Sequence, residues 1–266
     1  DCLPVPEIVT EDATIYVDVD EGGLPVTVFA HGLTNSRNEL AAFTPALDGT
    51  KVRFDFRGHG RSSVPETGYR FSDFARDLDA VAAEYGATRA VGTSLGAGAI
   101  TNLIAREPDR FERIVFLLPA ALDVPLAEHG DFDRTAAFLE SMSKDEAIAA
   151  ILSSDDRVEA YERAPWLREF DLMLWQDMNP IGVARAIREV VKDVAVEDRE
   201  LLRRVKAPTM VICREGDSVH PAELGRVLAQ LMPNTELIVL PGEEELMAAI
   251  PMLVGRVKEF LEDGTA

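Results

Sequence analysis

The stretch Ala90–Ile100, AVGTSLGAGAI, runs from an apolar, strand-forming segment through Gly92-Thr93-Ser94-Leu95-Gly96 into a helix of small residues. A strand that turns abruptly into a helix at a serine holds that hydroxyl out on a strained backbone, and the flanking glycines leave room for close approach. The pattern G-x-S-x-G alone arises by chance in about one chain of this length in ten. The β-run before it and the helical LGAGAITNLIA after it are what mark a nucleophile elbow. The start of that helix adds a favourable field for a nearby oxyanion. A serine hydroxyl is a poor nucleophile until a base takes its proton, and the chain offers four histidines: His31, His59, His129 and His220.

Outward from the elbow, short apolar strands alternate with helical stretches. TIYVDVD, VTVFA, KVRFDF, RAVGT, RIVFLL, TMVIC and ELIVL read as strands, and a helix is expected around Phe71 to Tyr85. This alternation predicts an α/β fold with a mostly parallel sheet flanked by helices on both faces. Such sheets carry their reactive residues in the loops at the carboxyl ends of the strands. Between Asp123 and Asp198 the strand signal disappears and helical spacing takes over, as in FLESMSKDEAIAAIL. The expected organisation is a core of residues 1–122 and 199–266 with a helical cap, or lid, over residues 123–198. That insertion contains both tryptophans, Trp166 and Trp175, which with His31 are candidates for the substrate pocket.

Composition narrows the partners. With 27 basic and 47 acidic residues the formal net charge is −20, which repels phosphate backbones and anionic membrane surfaces, so neither nucleic acid nor membrane is an expected partner. No run of about 18 apolar residues suggests a membrane span, and no secretory signal pattern is evident. The chain begins at Asp1 rather than Met, which leaves room for an upstream segment; a cytoplasmic location is the expectation. Cys2 and Cys213 lie at opposite ends of the chain and suggest no disulfide framework, and neither belongs to a metal-spaced cluster. A small-molecule substrate is expected, with no metal or organic cofactor, and the oligomeric state is not legible.

Two further loops follow strands. In VFAHGLTNSR a strand ends at His31-Gly32, and the Leu33 N–H, together with that of Leu95, is placed to cradle an oxyanion. His31 itself reads as a hydrogen-bonding residue under the loop. In DFRGHGRSS, Asp55 to Ser63, a tight loop brings Asp55, Arg57 and His59 together as a candidate buried polar network.

In this order, the strand ending in HG, D-x-R-G-H-G-x-S, G-x-S-x-G, a helical insertion and VKAPTMVICREGDSVHP, the chain resembles the α/β-hydrolase superfamily. The branch it resembles also holds esterases, carbon–carbon bond hydrolases and cofactor-free haloperoxidases. The resemblance implies Ser94 as nucleophile, Leu33 and Leu95 as oxyanion amides, and Asp217 as the acid that orients the base. The family's late histidine, in a segment of the form P-G-x-G-H after the last strand, has no counterpart here. PGEEELM occupies that place, with Glu244 or Glu245 at the expected position, and no histidine follows His220.

Four accounts of the base stand side by side. His220, three residues after Asp217, serves from the neighbouring loop; Glu244 or Glu245 serves, with burial raising its pKa; His31, His59 or His129 serves; or the triad is incomplete. The expected activity is hydrolysis of an ester, thioester or related acyl bond of a small apolar substrate through Ser94. The alternative is a triad-deficient member that catalyses an elimination or rearrangement, or binds a ligand.

Overall fold

The structure is a computed structural model and describes residues 7–126 and 131–263. Its frame is one eight-stranded sheet built from β1 (Glu7–Val9), β2 (Thr14–Asp20), β3 (Val26–Ala30), β4 (Thr50–Phe54), β5 (Arg89–Thr93), β6 (Arg113–Leu117), β7 (Thr209–Arg214) and β8 (Thr235–Leu240). The spatial order is β1-β2-β4-β3-β5-β6-β7-β8. The β1–β2 and β2–β4 pairs are antiparallel and all the others are parallel. Register aligns Ala30 with Gly92, Gly92 with Phe116, and Leu117 with Ile212, so β3, β5, β6 and β7 end along one edge.

Alternate residues of each strand feed two layers, as a period of two requires. Val28, Ala30, Ala90, Phe116 and Val211 face one core, which α1 (Phe71–Glu84), α2 (Leu95–Arg106) and α8 (Ala222–Leu231) cover. Phe29, Val91, Val115 and Ile212 face the other, covered by Leu253, Val257 and Leu261 of α10 (Ile250–Glu262). Helix α1 buries Phe71, Phe74, Leu78 and Val81, an i, i+3, i+7, i+10 stripe on one face.

Between β6 and β7 no strand occurs among the described residues. Among the described residues five α-helices lie in the stretch, α3 (Phe132–Ser141), α4 (Lys144–Leu152), α5 (Asp155–Arg163), α6 (Trp166–Leu174) and α7 (Pro180–Val190), followed by a 3-10 turn at Arg199–Arg204. Their starts are written in side chains: Asp131 accepts from the Arg134 N–H, Ser143 and Glu146 form a capping box, and Asn179 accepts from the Gly182 N–H ahead of α7. Trp175 and Met178 join the main core, whereas α5 and α6 share a small cluster of Ala160, Ala164 and Leu167. Met247 of α9 (Glu243–Ala248) packs against that cluster. Among the described residues, no helix is long and apolar enough to cross a membrane.

Candidate active site

At the elbow Ser94 has φ 49° and ψ −106°, the left-handed side of the map that a side chain rarely adopts. The two glycines make this turn sterically feasible. A Cβ on Gly92 would lie 2.7 Å from the Gly96 carbonyl carbon, and one on Gly96 would collide with the Ala30 carbonyl. The Ser94 N–H donates to Leu117 O at 3.1 Å and the Gly96 N–H to His31 O at 3.1 Å, tying the elbow to β6 and to the end of β3.

The loop after β3 is a turn closed by the Asn35 N–H on Gly32 O at 3.1 Å. Leu33 is its second residue and Leu95 is the first of α2; the N–H groups of both lack hydrogen-bond partners among the described residues. His31 is 1% exposed. Its Nε2 accepts from the Phe56 N–H at 3.0 Å, so its proton sits on Nδ1 and is donated to Gly32 O at 2.7 Å. Two donors on Gly32 O polarise the peptide whose N–H belongs to Leu33. Burial, with the neighbouring His59, pushes His31 well below the usual histidine range and keeps it neutral. The pocket role expected for His31 is therefore corrected: both ring nitrogens are consumed beneath the loop.

The residues of DFRGHG have separate partners. Asp55 accepts from the Arg37 and Arg61 backbones and from Arg37 Nη1, while Arg57 pairs with Asp77 and Asp12. The two ring nitrogens of His59 face the carbonyls of Arg57 and Leu33, and a neutral ring donates to one of them. It is fully buried, and burial pushes its pKa down.

Glu39, eight residues after His31, clamps the same loop without a cationic partner among the described residues. Its carboxylate accepts the Gly32 N–H and the Asn35 amide, each at 2.6 Å. Burial raises its pKa to about 7 against the opposing effect of those two bonds. A carboxyl that binds its proton more tightly folded than unfolded costs stability progressively as pH rises from about 4.5 to about 7. Glu39→Gln is therefore expected to gain Tm relative to the parent as pH goes from 5 to 8. The expected gain is a few °C, since about 1 kcal/mol moves Tm by roughly 2–4 °C at this size. A Tm difference that stays flat across that range, measured by calorimetry, would refute the assignment.

His220 lies in the loop after β7. Asp217 Oδ1 accepts the Val219 and His220 backbone N–H groups at 3.0 and 2.9 Å, folding DSVH into a tight turn. That turn lets two side chains three residues apart point along one line. His220 Nδ1 is 3.1 Å from Asp217 Oδ2, and Nε2 is 3.0 Å from Ser94 Oγ. Arg214, at the end of β7, also reaches Asp217 Oδ2, at 2.8 Å. Burial pushes the Asp217 pKa up, but the hydrogen bonds and charge of His220 and the charge of Arg214 outweigh it and hold the group ionised well below the usual carboxylate range.

The glutamates after β8 lie elsewhere. Glu244 and Glu245 sit on α9 and form no hydrogen bond to Ser94 or His220. The Glu244 side chain is 61% exposed and faces Arg163 of α5 at 3.7 Å. A base role for either is corrected by this placement. His129 and Cys2 lie outside the described residues, and Cys213 is buried with a free thiol.

A cavity of about 250 Å³ adjoins the loops after β3 and β7. Thr34 and Val219, the residues next to Leu33 and His220, line one part of it, and Trp175 and Met178 contribute an apolar wall. Trp166 does not line it: the side chain is 48% exposed on α6, which corrects its expected pocket role. Among the described residues no cluster of three or more His, Cys, Asp and Glu is arranged to hold a metal ion. Arg214 and Glu39 escape a sequence reading because nothing in the chain's periodicity says which surface charges turn inward.

Comparison with known proteins agrees with this fold. A family model described as the alpha/beta hydrolase fold matches residues 25–247. The chain is 25% identical to the 2-(acetamidomethylene)succinate hydrolase of Mesorhizobium japonicum, over 85% of this chain and 83% of that protein. It is 29% identical to a non-heme chloroperoxidase of Streptomyces lividans, over 86% and 89% respectively. Among solved structures, a hydrolase from Pseudomonas aeruginosa superposes with a TM-score of 0.79 at 26% identity, covering 98% of this chain and 99% of that one. With the parallel sheet, the strained serine turn and a match across most of its length, the chain belongs to the α/β-hydrolase fold family.

Proposed function

We propose that the protein is a serine hydrolase that cleaves an ester, thioester or related acyl bond of a small, largely apolar substrate. The observation that carries this reading is the line Asp217–His220–Ser94, with separations of 3.1 and 3.0 Å. Asp217 fixes the His220 proton on Nδ1, leaving the Nε2 lone pair to take the Ser94 proton as Oγ attacks the substrate carbonyl. The N–H groups of Leu33 and Leu95 receive the negative oxygen that forms. Collapse of the tetrahedral adduct expels the leaving group, which takes the proton from His220. A water activated by the same imidazole then releases the acid and restores Ser94.

Acid and base both come from the loop after β7, so the segment after β8 is free to do other work. Helices α3–α7 act in this reading as a cap over the cavity. Names among the relatives, including an esterase/perhydrolase of Acinetobacter calcoaceticus, are consistent with acyl chemistry on this fold.

Covalent labelling by a fluorophosphonate tests the reading directly. Ser94→Ala should take up no label, and His220→Ala should label far more slowly than the parent. Glu244→Gln and Glu245→Gln should label within about twofold of the parent rate, since exposed groups away from the reacting atoms contribute little. Slow labelling in the glutamate variants with normal labelling in His220→Ala would reverse the assignment of the base.

A further inference from the structure

The cavity that reaches Thr34 and Val219, the neighbours of Leu33 and His220, has mostly apolar walls, and its charged lining residues are Asp131, Arg134 and Arg157. Asp131 and Arg134 satisfy each other at 2.9 Å. Arg157 of α5 is the positive charge left without a counter-charge in the lining. Outside the lining, its Nη1 is approached by Asp171 at 3.2 Å and by Glu243 at 3.8 Å. Asp171 already accepts the Tyr161 hydroxyl at 2.7 Å on the same oxygen. Both acidic neighbours meet one terminal nitrogen, and among the described residues Nε and Nη2 of Arg157 have no hydrogen-bond partner.

A guanidinium presents its N–H groups as a planar fork whose edges match the two oxygens of a carboxylate. On Arg157 the Nε/Nη2 edge is the one left open. The Arg157 side chain is 35% exposed and also borders an apolar cavity, where an acceptor carried by a ligand competes with water for that edge. Ser154, the residue that precedes α5, lines the same part of the chain and adds a hydroxyl. Thr34 and Val219, also in the lining, adjoin the oxyanion loop and His220.

We propose that Arg157 is a specificity-determining residue that binds a carboxylate carried by the substrate remote from the bond being cleaved. The carboxylate does not react; it anchors one end of the molecule while the apolar wall of Trp175 and Met178 holds the chain between. This rests on the hydrolase reading for the bond that is cleaved, but the anion site itself is open to test by binding alone.

The test uses the full chain carrying Ser94→Ala, which prevents turnover, and Trp166→Phe, which leaves Trp175 in the cavity as the fluorescent reporter. Monomethyl glutarate and methyl valerate, which differ chiefly in a terminal carboxylate against a methyl, are titrated in parallel. The carboxylate ester should bind about 10- to 100-fold more tightly, the size expected of a charge-assisted pair in a partly dry site. Adding Arg157→Gln should bring the ratio close to one, and Arg157→Lys should keep part of it. Arg163→Gln, on the same helix but paired with exposed Glu159 and Glu244, should leave the ratio intact.

Equal affinities for the two esters, or a preference that survives in Arg157→Gln, would overturn the proposal. 4-Acetoxybutanoate against butyl acetate, measured the same way, covers a carboxylate on the alcohol side of the scissile bond. If the preference is found while the parent resists fluorophosphonate, the anion site stands and the hydrolase reading falls. If the parent labels and no preference exists, the reverse holds.

Discussion

Replacing His220 by alanine is expected to lower kcat on a simple activated ester by roughly 10⁴- to 10⁶-fold, with little change in KM. The size follows from what the imidazole is asked to do. In the proposed reaction it removes the Ser94 proton during attack, returns it to the leaving group, and activates the water that resolves the acyl-enzyme; alanine would delete all three. The oxyanion amides and the cavity survive, so a residual acceleration of about 10³–10⁴ over water should persist. Ser94→Ala should lose a similar factor, and Ser94→Ala with His220→Ala no more than either alone, because the two act as a unit. Added imidazole should restore part of the activity to His220→Ala and none to Ser94→Ala. Steady-state kinetics showing more than about a tenth of parental kcat in His220→Ala would remove this residue from the base role.

The base is also where the sequence leaves the most alternatives open. The elbow was legible because its requirements are local: Gly92 and Gly96 are the only residue type that fits beside Ala30 and around a serine at positive φ, and such constraints are written at fixed spacing. The strands were legible because a buried parallel sheet demands short apolar runs. His220 was a candidate by its spacing from Asp217, yet its reach to Ser94 depends on how far the loop after β7 stands from the loop after β5 across the intervening β6. That distance is a property of the sheet and not of either loop. The same holds for the glutamates of PGEEEL, whose meaning follows from α9 facing the arginines of α5. Trp166 and Trp175, alike in sequence, divide into an exposed and a buried side chain only once α6 is docked.

The second large effect belongs to stability. Arg57 and Asp77 are both fully buried, and the five N–H donors of the guanidinium find five acceptors. Asp77 takes two in a fork, at 2.8 and 2.7 Å; Asp12 takes two at 2.9 Å; the Gly68 carbonyl takes the last at 3.0 Å. Asp77→Ala leaves two donors of a buried cation facing a cavity, and the expected cost is about 3–5 kcal/mol, or roughly 10 °C in Tm.

Arg57→Met is expected to cost a similar amount by stranding Asp77. Arg57→Met with Asp77→Leu should cost clearly less than Arg57→Met and Asp77→Leu measured singly and added together, because the pair's desolvation penalty disappears with it. Strict additivity, seen by denaturant unfolding, would mean that the two do not interact. Activity separates this role from the chemistry. Arg57 lies between Phe56, whose N–H holds His31, and the loop of His59, which holds the Leu33 carbonyl. Loosening that anchor disturbs the oxyanion loop only through intermediaries, so folded Asp77→Ala assayed at low temperature should keep kcat within about tenfold of the parent, orders of magnitude above His220→Ala.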